Sequence, residues 1–453
     1  MIKPAAGRHS SGLSSPVLPA LLFVLCGVIP PPVLAEDGNA EELGQRVADG
    51  ESRNIDKRID KLESQVRELI EKNEKLIRDR EAELRKATGG SEQQEAKPAF
   101  SFGGYVKTNF IASSFEDGEL SGDSVGRDFL VPSTIPVGGE DEGVKLDAHA
   151  RESRFNFQTN HTIGNNHALK SFIQLDFLTT PVGNERVSNS FSPRLRHAFV
   201  KFDDLLVGQT WGTFMDTSAL AESVTFLGAS GSTSFVRQAQ IRYSPGNFAI
   251  ALENPETTVT PAAGGRIETD DNNVPDLSAR YTWDSRWGHL QLAGILRQLK
   301  YENREEGIDD TTVGGGVSFS GKVLLGRDDI RWLVHYGDGL GRYVGLNFAN
   351  DATVEEDGTL EAIGTAGGFG AYRHWWSQKW RSNLILSYLK VDNPSQLNAS
   401  SVNRANWSGQ LNLLYSPVPA MSFGLEYLFA EREIETRETG QLNQVGFMAK
   451  YAF

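Results

Sequence analysis

Apolar and polar side chains alternate along the end of the chain. From Val445 the odd positions are Val445, Phe447, Ala449, Tyr451 and Phe453; the even positions Gln444, Gly446, Met448, Lys450 and Ala452 are smaller or more polar. A period of two sends alternate side chains to opposite faces of a strand. In a membrane barrel one face meets lipid and the other water. An edge strand of a soluble sheet would show the same pattern, so the rest of the chain must decide. From Phe100 onward the pattern recurs in segments of roughly ten residues, separated alternately by tight turns and long polar loops. The predicted strands are 101–115, 151–160, 168–179, 194–202, 205–213, 235–243, 248–254, 276–283, 290–299, 313–324, 330–336, 367–376, 380–391, 405–415, 421–430 and 440–453. About sixteen antiparallel strands, an even number with short turns on one side, predict an all-β transmembrane barrel. A propeller would show a self-similar period, and none is present.

Ahead of the barrel the period changes. Ile59, Val66 and Asn73 recur every seven residues, as do Ile55, Leu62, Leu69 and Leu76, and charged residues surround both sets. With the first set at a and the second at d, residues 51–86 predict a short periplasmic α-helical coiled coil. Such a thin helix cannot bury its stripe alone, so the rod implies a homo-oligomer, unless it packs as a single helix on another domain. Ile at a, Leu at d and Asn73 lean towards a dimer. Residues 88–98 read as a flexible linker. At the start, Lys3 and Arg8 precede an apolar core at 17–28, and Val33 and Ala35 have signal-peptidase spacing. The expected organisation is a signal peptide at 1–35, the rod and linker at 36–98, and the barrel at 99–453.

Composition changes this picture little. The formal charge is −14, and −16 without Lys3 and Arg8. That acidity argues against a nucleic-acid partner. The single cysteine, Cys26, lies in the leader and leaves no internal disulfide framework. The distribution of charge is more informative. A charge facing lipid at mid-depth costs about 2–4 kcal/mol, so the polar face of each strand must line the lumen. That face carries Lys107, Arg154, Arg194, Arg196, Arg242, Arg280, Arg331, Arg381 and Arg404, whereas acids gather in the loops and rod. Leu195 and Phe199 share the lipid-side parity of the 194–202 strand. Fixed guanidinium groups in a narrow pore focus field on passing anions, and their planar forks match carboxylates. The expectation is a diffusion channel for small anionic solutes. The same arginines also suit a bracing role with Asp176, Asp276, Glu253 and Glu426, and the sequence leaves both readings open. Segment 214–228 is too polar and irregular for a strand; it suits either a loop folded into the pore or a superficial loop.

The hairpin from Arg194-Leu-Arg-His-Ala-Phe-Val to Leu206-Val-Gly-Gln-Thr-Trp-Gly-Thr-Phe-Met-Asp216, with Ala150-Arg-Glu-Ser-Arg-Phe-Asn-Phe157, resembles the DcaP-like family of trimeric outer-membrane porins. The resemblance covers nearly all of the mature chain. It implies a trimer, a periplasmic coiled coil before a sixteen-stranded barrel, and uptake of dicarboxylic or aromatic acids. It assigns pore roles to Arg151, Arg154, Arg194 and Arg196; Arg151 falls on the lipid-side parity. The terminal aromatic strand, with Tyr451 and Phe453, is similar to the signal read by the barrel assembly machinery. The outer-membrane lipid is the expected solvent of the wall. No cofactor or metal is expected; the Asp270–Asn273 loop offers calcium only a weak site. His335 and Ser387 lack any nucleophile–base motif, so no enzyme is expected. Phosphate and sugar channels, and a barrel-anchored tether for the cell wall, are the alternatives.

Overall fold

The computed structural model describes residues 98–453, apart from 165, 180, 181, 185, 262, 263 and 398–400, together with 71–80 and five residues between 61 and 69. The chain divides into two compact units, Met1–Gln93 and Gln94–Phe453. In the first, residues 71–80 are helical, and Leu69, Asn73 and Leu76 are exposed. Ile55, Ile59, Leu62 and Val66 lie outside the described residues, as does segment 1–35.

The second unit is a closed barrel of sixteen antiparallel strands. Its elements are β1 Ala99–Phe115, β2 Val144–His149, β3 Arg154–Ile163, β4 His167–Asp176, β5 Arg194–Phe202, β6 Leu205–Trp211, β7 Arg237–Tyr243, β8 Phe248–Glu253 and β9 Asp276–Ser285. The taller wall follows with β10 Gly288–Asn303, β11 Ile308–Leu325, β12 Asp328–Asp338, β13 Gly364–Trp375, β14 Trp380–Asp392, β15 Asn403–Val418, β16 Met421–Ile434 and β17 Thr439–Ala452. β2 and β3 lie end to end against β1 and fill one position of the wall. Each predicted strand is present. β2 is an addition: it forms inside the predicted acidic loop, where Val144, Leu146 and Ala148 alternate with Lys145, Asp147 and His149. Pairing with β1 stabilises this short alternation, which is hard to see from composition.

Burial follows an inside-out rule. In β17, Val445, Phe447 and Tyr451 are exposed outward, whereas Gln444 is 1% exposed. Asn383, Ser387, Asn406, Ser408, Gln410 and Asn412 are likewise buried inside. An apolar outer wall around a polar interior is the arrangement lipid demands. In β5 the alternation breaks. His197 pairs with Gln174 but Leu195 pairs with Leu175, so Arg196 is the extra residue of a bulge. A bulge re-aims the side chains beyond it. Phe199 therefore shares a face with Phe172, its ring 5.5 Å away, while Val200 and Phe202 are exposed outward. The predicted outward side of Phe199 is thus corrected.

β17 closes the wall against β1, with Tyr105 to Phe115 opposite Ala452 to Leu442. At the end of this seam Gly104 and Phe453 exchange backbone hydrogen bonds, both 3.1 Å, and the Phe453 ring lies 5.5 Å from that of Phe102. Closure removes the open edges that hydrocarbon would not tolerate. Gly104 has a φ of 152°, and a Cβ there would stand 2.0 Å from the Arg154 carbonyl oxygen. Gly104→Val is expected to push β3 off β1 beside the seam and cut the yield of folded barrel. Heat-modifiable gel mobility reads the effect; a normal folded band would contradict it.

The barrel is not hollow. Segment 212–236, between β6 and β7, crosses the interior: Phe214, Ala219, Val224, Ala229 and Thr233 are all buried. Loop 116–143 packs Leu130 and Ile135 on Phe115, Leu428 and Leu442. Loop 339–363 seats Leu340, Tyr343 and Phe348 against Phe214, Ile295 and Leu389. At the loop end, strands Thr257–Thr260, Ile267–Thr269, Ala352–Val354 and Leu360–Ala362 form a separate small sheet.

Candidate pore constriction

The chain is led inward at 212–236 because its backbone finds partners on the inner faces of the tall wall. Glu426 accepts hydrogen bonds from Val224 N (3.0 Å) and Thr225 N (3.2 Å). Gln410 accepts from Ala229 N (3.3 Å), and Asn406 and Asn412 donate to Gly231 O (3.1 Å) and Glu222 O (3.0 Å). The Glu426 carboxylate and these inward amides satisfy a loop that could not otherwise leave water. The open choice between a superficial loop and a loop in the pore is settled in favour of the pore.

Both acids of this segment are turned to the tall wall. Asp216 meets His289 Nε2 at 2.8 Å and accepts from Ser320 Oγ at 2.8 Å. Glu222 accepts from Arg381 Nε at 2.8 Å and lies 3.6 Å from Arg373. Burial raises the Glu222 pKa, but the Arg381 hydrogen bond and the charges of Arg381, Arg373 and Arg331 bring it below the ordinary glutamate value. Arg331 pairs with Asp329 at 2.7 Å and donates to Leu220 O. Charge on this side is largely balanced within the wall and the loop.

The opposite side is different. Arg194 holds Asp176 with both forks, Nε and Nη2 each at 2.9 Å. Arg196 Nη1 reaches the same carboxylate at 2.7 Å, and Arg154 lies 4.0 Å from it. Asp176 is fully buried beneath the three. The bulge at Arg196 makes this possible by turning its side chain inward beside that of His197. The Arg196 guanidinium also lies over the rings of Trp211 (5.7 Å) and Phe226 (5.6 Å), so segment 212–236 touches the cluster directly. Arg237 stacks over Trp211 at 4.9 Å. Lys107 and Lys450 are directly opposite each other across the closing seam. Lys107 donates to Glu152 at 2.6 Å and to Val224 O at 2.7 Å. Tyr105 lies between Lys450 (4.3 Å) and Arg154 (5.2 Å). Among the described residues, the ion pairs of these six cations use two carboxylates, Asp176 and Glu152.

The predicted site residues thus separate. Lys107, Arg154, Arg194 and Arg196 come together. Arg151 lies in the turn between β2 and β3, paired with Asp128 and stacked over Phe191 at 4.5 Å. Arg242 donates to Trp211 O (3.3 Å) and Arg280 to Met215 O (3.2 Å), both where the chain enters the crossing segment. Arg331 and Arg381 belong to the tall-wall network, and Arg404 is tied to Glu433 (2.8 Å) near the loop end. Tyr451 and Phe453 lie on the seam. Sequence reading missed Arg237, Lys450, Tyr105, Trp211 and Phe226. Lys450 stands on the polar face of the last strand and was visible there; Arg237 shares the parity of Ile241 and Tyr243 and gave no signal. Asp271 of the acidic loop accepts from the Glu302 amide at 2.8 Å.

The model of the DcaP outer membrane protein family matches residues 43–453. Among solved structures, the outer membrane channel DcaP of Acinetobacter baumannii is similar at 21% identity and a TM-score of 0.65, over 79% of this chain and 99% of that one. OmpT of Vibrio cholerae in its trimer form is 12% identical, with a TM-score of 0.49 over 79% of this chain and all of its own. An anion-selective porin from Comamonas acidovorans is 11% identical, with a TM-score of 0.48 over 79% of this chain and all of its own. No protein with a curated description matches.

Proposed function

The chain belongs to the DcaP outer membrane protein family, a family of outer-membrane channels, and from that premise we propose that its barrel is a diffusion channel favouring small anionic solutes. One observation carries the reading: three arginines share the one carboxylate of the buried Asp176, beside Arg237 and Lys450, which lie over the rings of Trp211 and Tyr105. One carboxylate neutralises one guanidinium. The excess positive charge lies beside a loop whose own acids are engaged elsewhere. In a narrow passage with low-dielectric walls such an excess attracts anions and repels cations. Arginine suits carboxylates because its donors form a planar fork. The rings of Tyr105, Trp211 and Phe226 add flat surfaces against which an aromatic or aliphatic acid can slide. Bracing and permeation are compatible here, since Asp176 positions the arginines without cancelling them.

The oligomeric state belongs to the same proposal. Leu69 and Leu76 are exposed on a helical segment and need a partner to cover them, as a coiled coil between copies would. A trimer is the assembly we assign, with insertion into the outer membrane by the barrel assembly machinery at the Tyr451–Phe453 strand.

The test is the reversal potential of the purified protein in planar bilayers under a potassium chloride gradient. The sign for chloride preference is expected. Potassium preference would sink the anionic reading while leaving the channel fold untouched.

A further inference from the structure

On the turn side of the crossing segment lies a chamber of about 500 Å³. We propose that this chamber is a second anion station, separate from the Asp176 cluster, and that it takes hydroxylated carboxylates such as sugar acids and hydroxy diacids. The inference rests on the anion-channel reading above and names a second stop along the same path.

The argument begins with charge. Lys322 faces this chamber, and its direct cross-strand neighbours are His289 on β10 and Arg331 on β12. Lys322 and Arg331 are like charges placed opposite each other, which destabilises a sheet. His289 and Arg331 each have an acid, Asp216 and Asp329. Among the described residues Lys322 has none. Arg280, on β9, lines the same chamber and donates only to a backbone carbonyl, Met215 O. The Asp216 carboxylate is already filled by His289, by Ser320 and by the amides of Ser218 (2.9 Å) and Ala219 (3.3 Å). Of the acids lining the chamber this leaves Asp284, which is exposed at the turn. Lys322, the cation of this lining with neither an ion pair nor a side-chain hydrogen bond among the described residues, is where a carboxylate fits, with Arg280 beside it in the field of Asp216 and Glu253.

Chemistry of the lining selects the rest of the solute. Thr217, Ser218, Thr282 and Ser285 line the walls, where the Asp176 cluster offers aromatic rings. Hydroxyl groups both donate and accept, so they can exchange hydrogen bonds with the hydroxyls of a solute as its water is shed. A bare dicarboxylate can only accept hydrogen bonds from these walls. One with hydroxyls on its backbone would also donate to them and use both sides of each wall hydroxyl.

Tartrate and succinate test this cleanly, because they share chain length and charge and differ in two hydroxyls. Block of the potassium chloride current through the full-length protein is the readout. Tartrate is expected to block at about tenfold lower concentration than succinate, the effect of a well-made hydrogen bond at a charged site. Lys322→Gln is expected to remove that difference and Lys322→Arg to keep it. Equal block of the wild-type channel by the two acids would overturn the proposal, as would a preference that survives Lys322→Gln. If the variant fails to insert, the wild-type comparison decides alone. Cation preference in potassium chloride without either acid would instead be a failure of the anion-channel reading.

Discussion

Arg297→Met is expected to lower the stability of the barrel by about 3–5 kcal/mol, the usual cost of leaving buried charges without their partner. Arg297 is fully buried where β10 reaches the loop end. Its Nε meets Asp276 at 3.0 Å and its Nη1 meets Asp351 at 2.6 Å. The same guanidinium donates to the carbonyls of Gly339 and Glu256 and lies over the Tyr343 ring at 4.9 Å. One side chain thereby ties β9 to the excursions at 254–275 and 339–363. Methionine fills similar volume but leaves two buried carboxylates facing each other. Asp351 would keep the amides of Thr258 (2.9 Å) and Arg342 (3.0 Å), and Asp276 would keep the Tyr343 hydroxyl (2.8 Å). Neither replaces a positive charge.

The effect should reach the pore. Loop 339–363 holds the crossing segment through two backbone hydrogen bonds, Phe235 N to Tyr343 O and Gly345 N to Thr233 O, both 3.0 Å. Loosening the loop is expected to give noisier single-channel currents as well as an earlier unfolding transition in denaturant. Adding Asp351→Asn should recover part of the loss, since it removes one of the orphaned charges. An unchanged unfolding midpoint for Arg297→Met would refute the assignment of this residue as a tie.

Arg297 also shows where the sequence stops being informative. Its strand was legible, because Leu290, Leu292 and Leu296 face outward with period two against buried His289, Gln291 and Ile295. Alternation is a local signal, and the sixteen strands are mostly local consequences of it. The partner Asp351 lies 54 positions away in a loop with no period, so no spacing rule finds it. The same reason hid the path of segment 212–236, whose anchors Gln410 and Glu426 lie on β15 and β16. A bulge is worse than silent: it makes the alternation itself misleading, and Phe199 was placed outward for that reason. Charge sign, by contrast, survived the translation into three dimensions at Arg154, Arg194 and Arg196, because lipid forbids them the outer face. Which of the luminal arginines cluster could not be read from the faces. Arg331, Arg381 and Arg404 share the inward parity and yet are taken up by Asp329, Glu222 and Glu433.

Opposite changes at the Asp176 cluster are expected to move ion selectivity in opposite directions. Arg154→Gln with Arg194→Gln removes two of the six cations and leaves Arg196 to hold the buried Asp176. Asp176→Asn removes the shared acid and leaves the cations in excess. Two unit charges 4 Å apart interact by about 4 kcal/mol at an effective dielectric constant of 20, whereas a tenfold change in a ratio needs about 1.4 kcal/mol. Salt screens over about 8–10 Å at physiological strength, so a passing ion in contact with the cluster still feels most of this field. The double glutamine variant is therefore expected to lower the chloride-to-potassium permeability ratio at least about tenfold, and Asp176→Asn to raise it. Asp176→Asn should also lower stability, because three guanidinium groups lose their common acceptor. That loss is common to a brace and to a pore lining and decides nothing by itself. The reversal potential does decide: a brace that never meets the solute would leave it unchanged in both variants, while a pore lining shifts it with the sign of the charge removed.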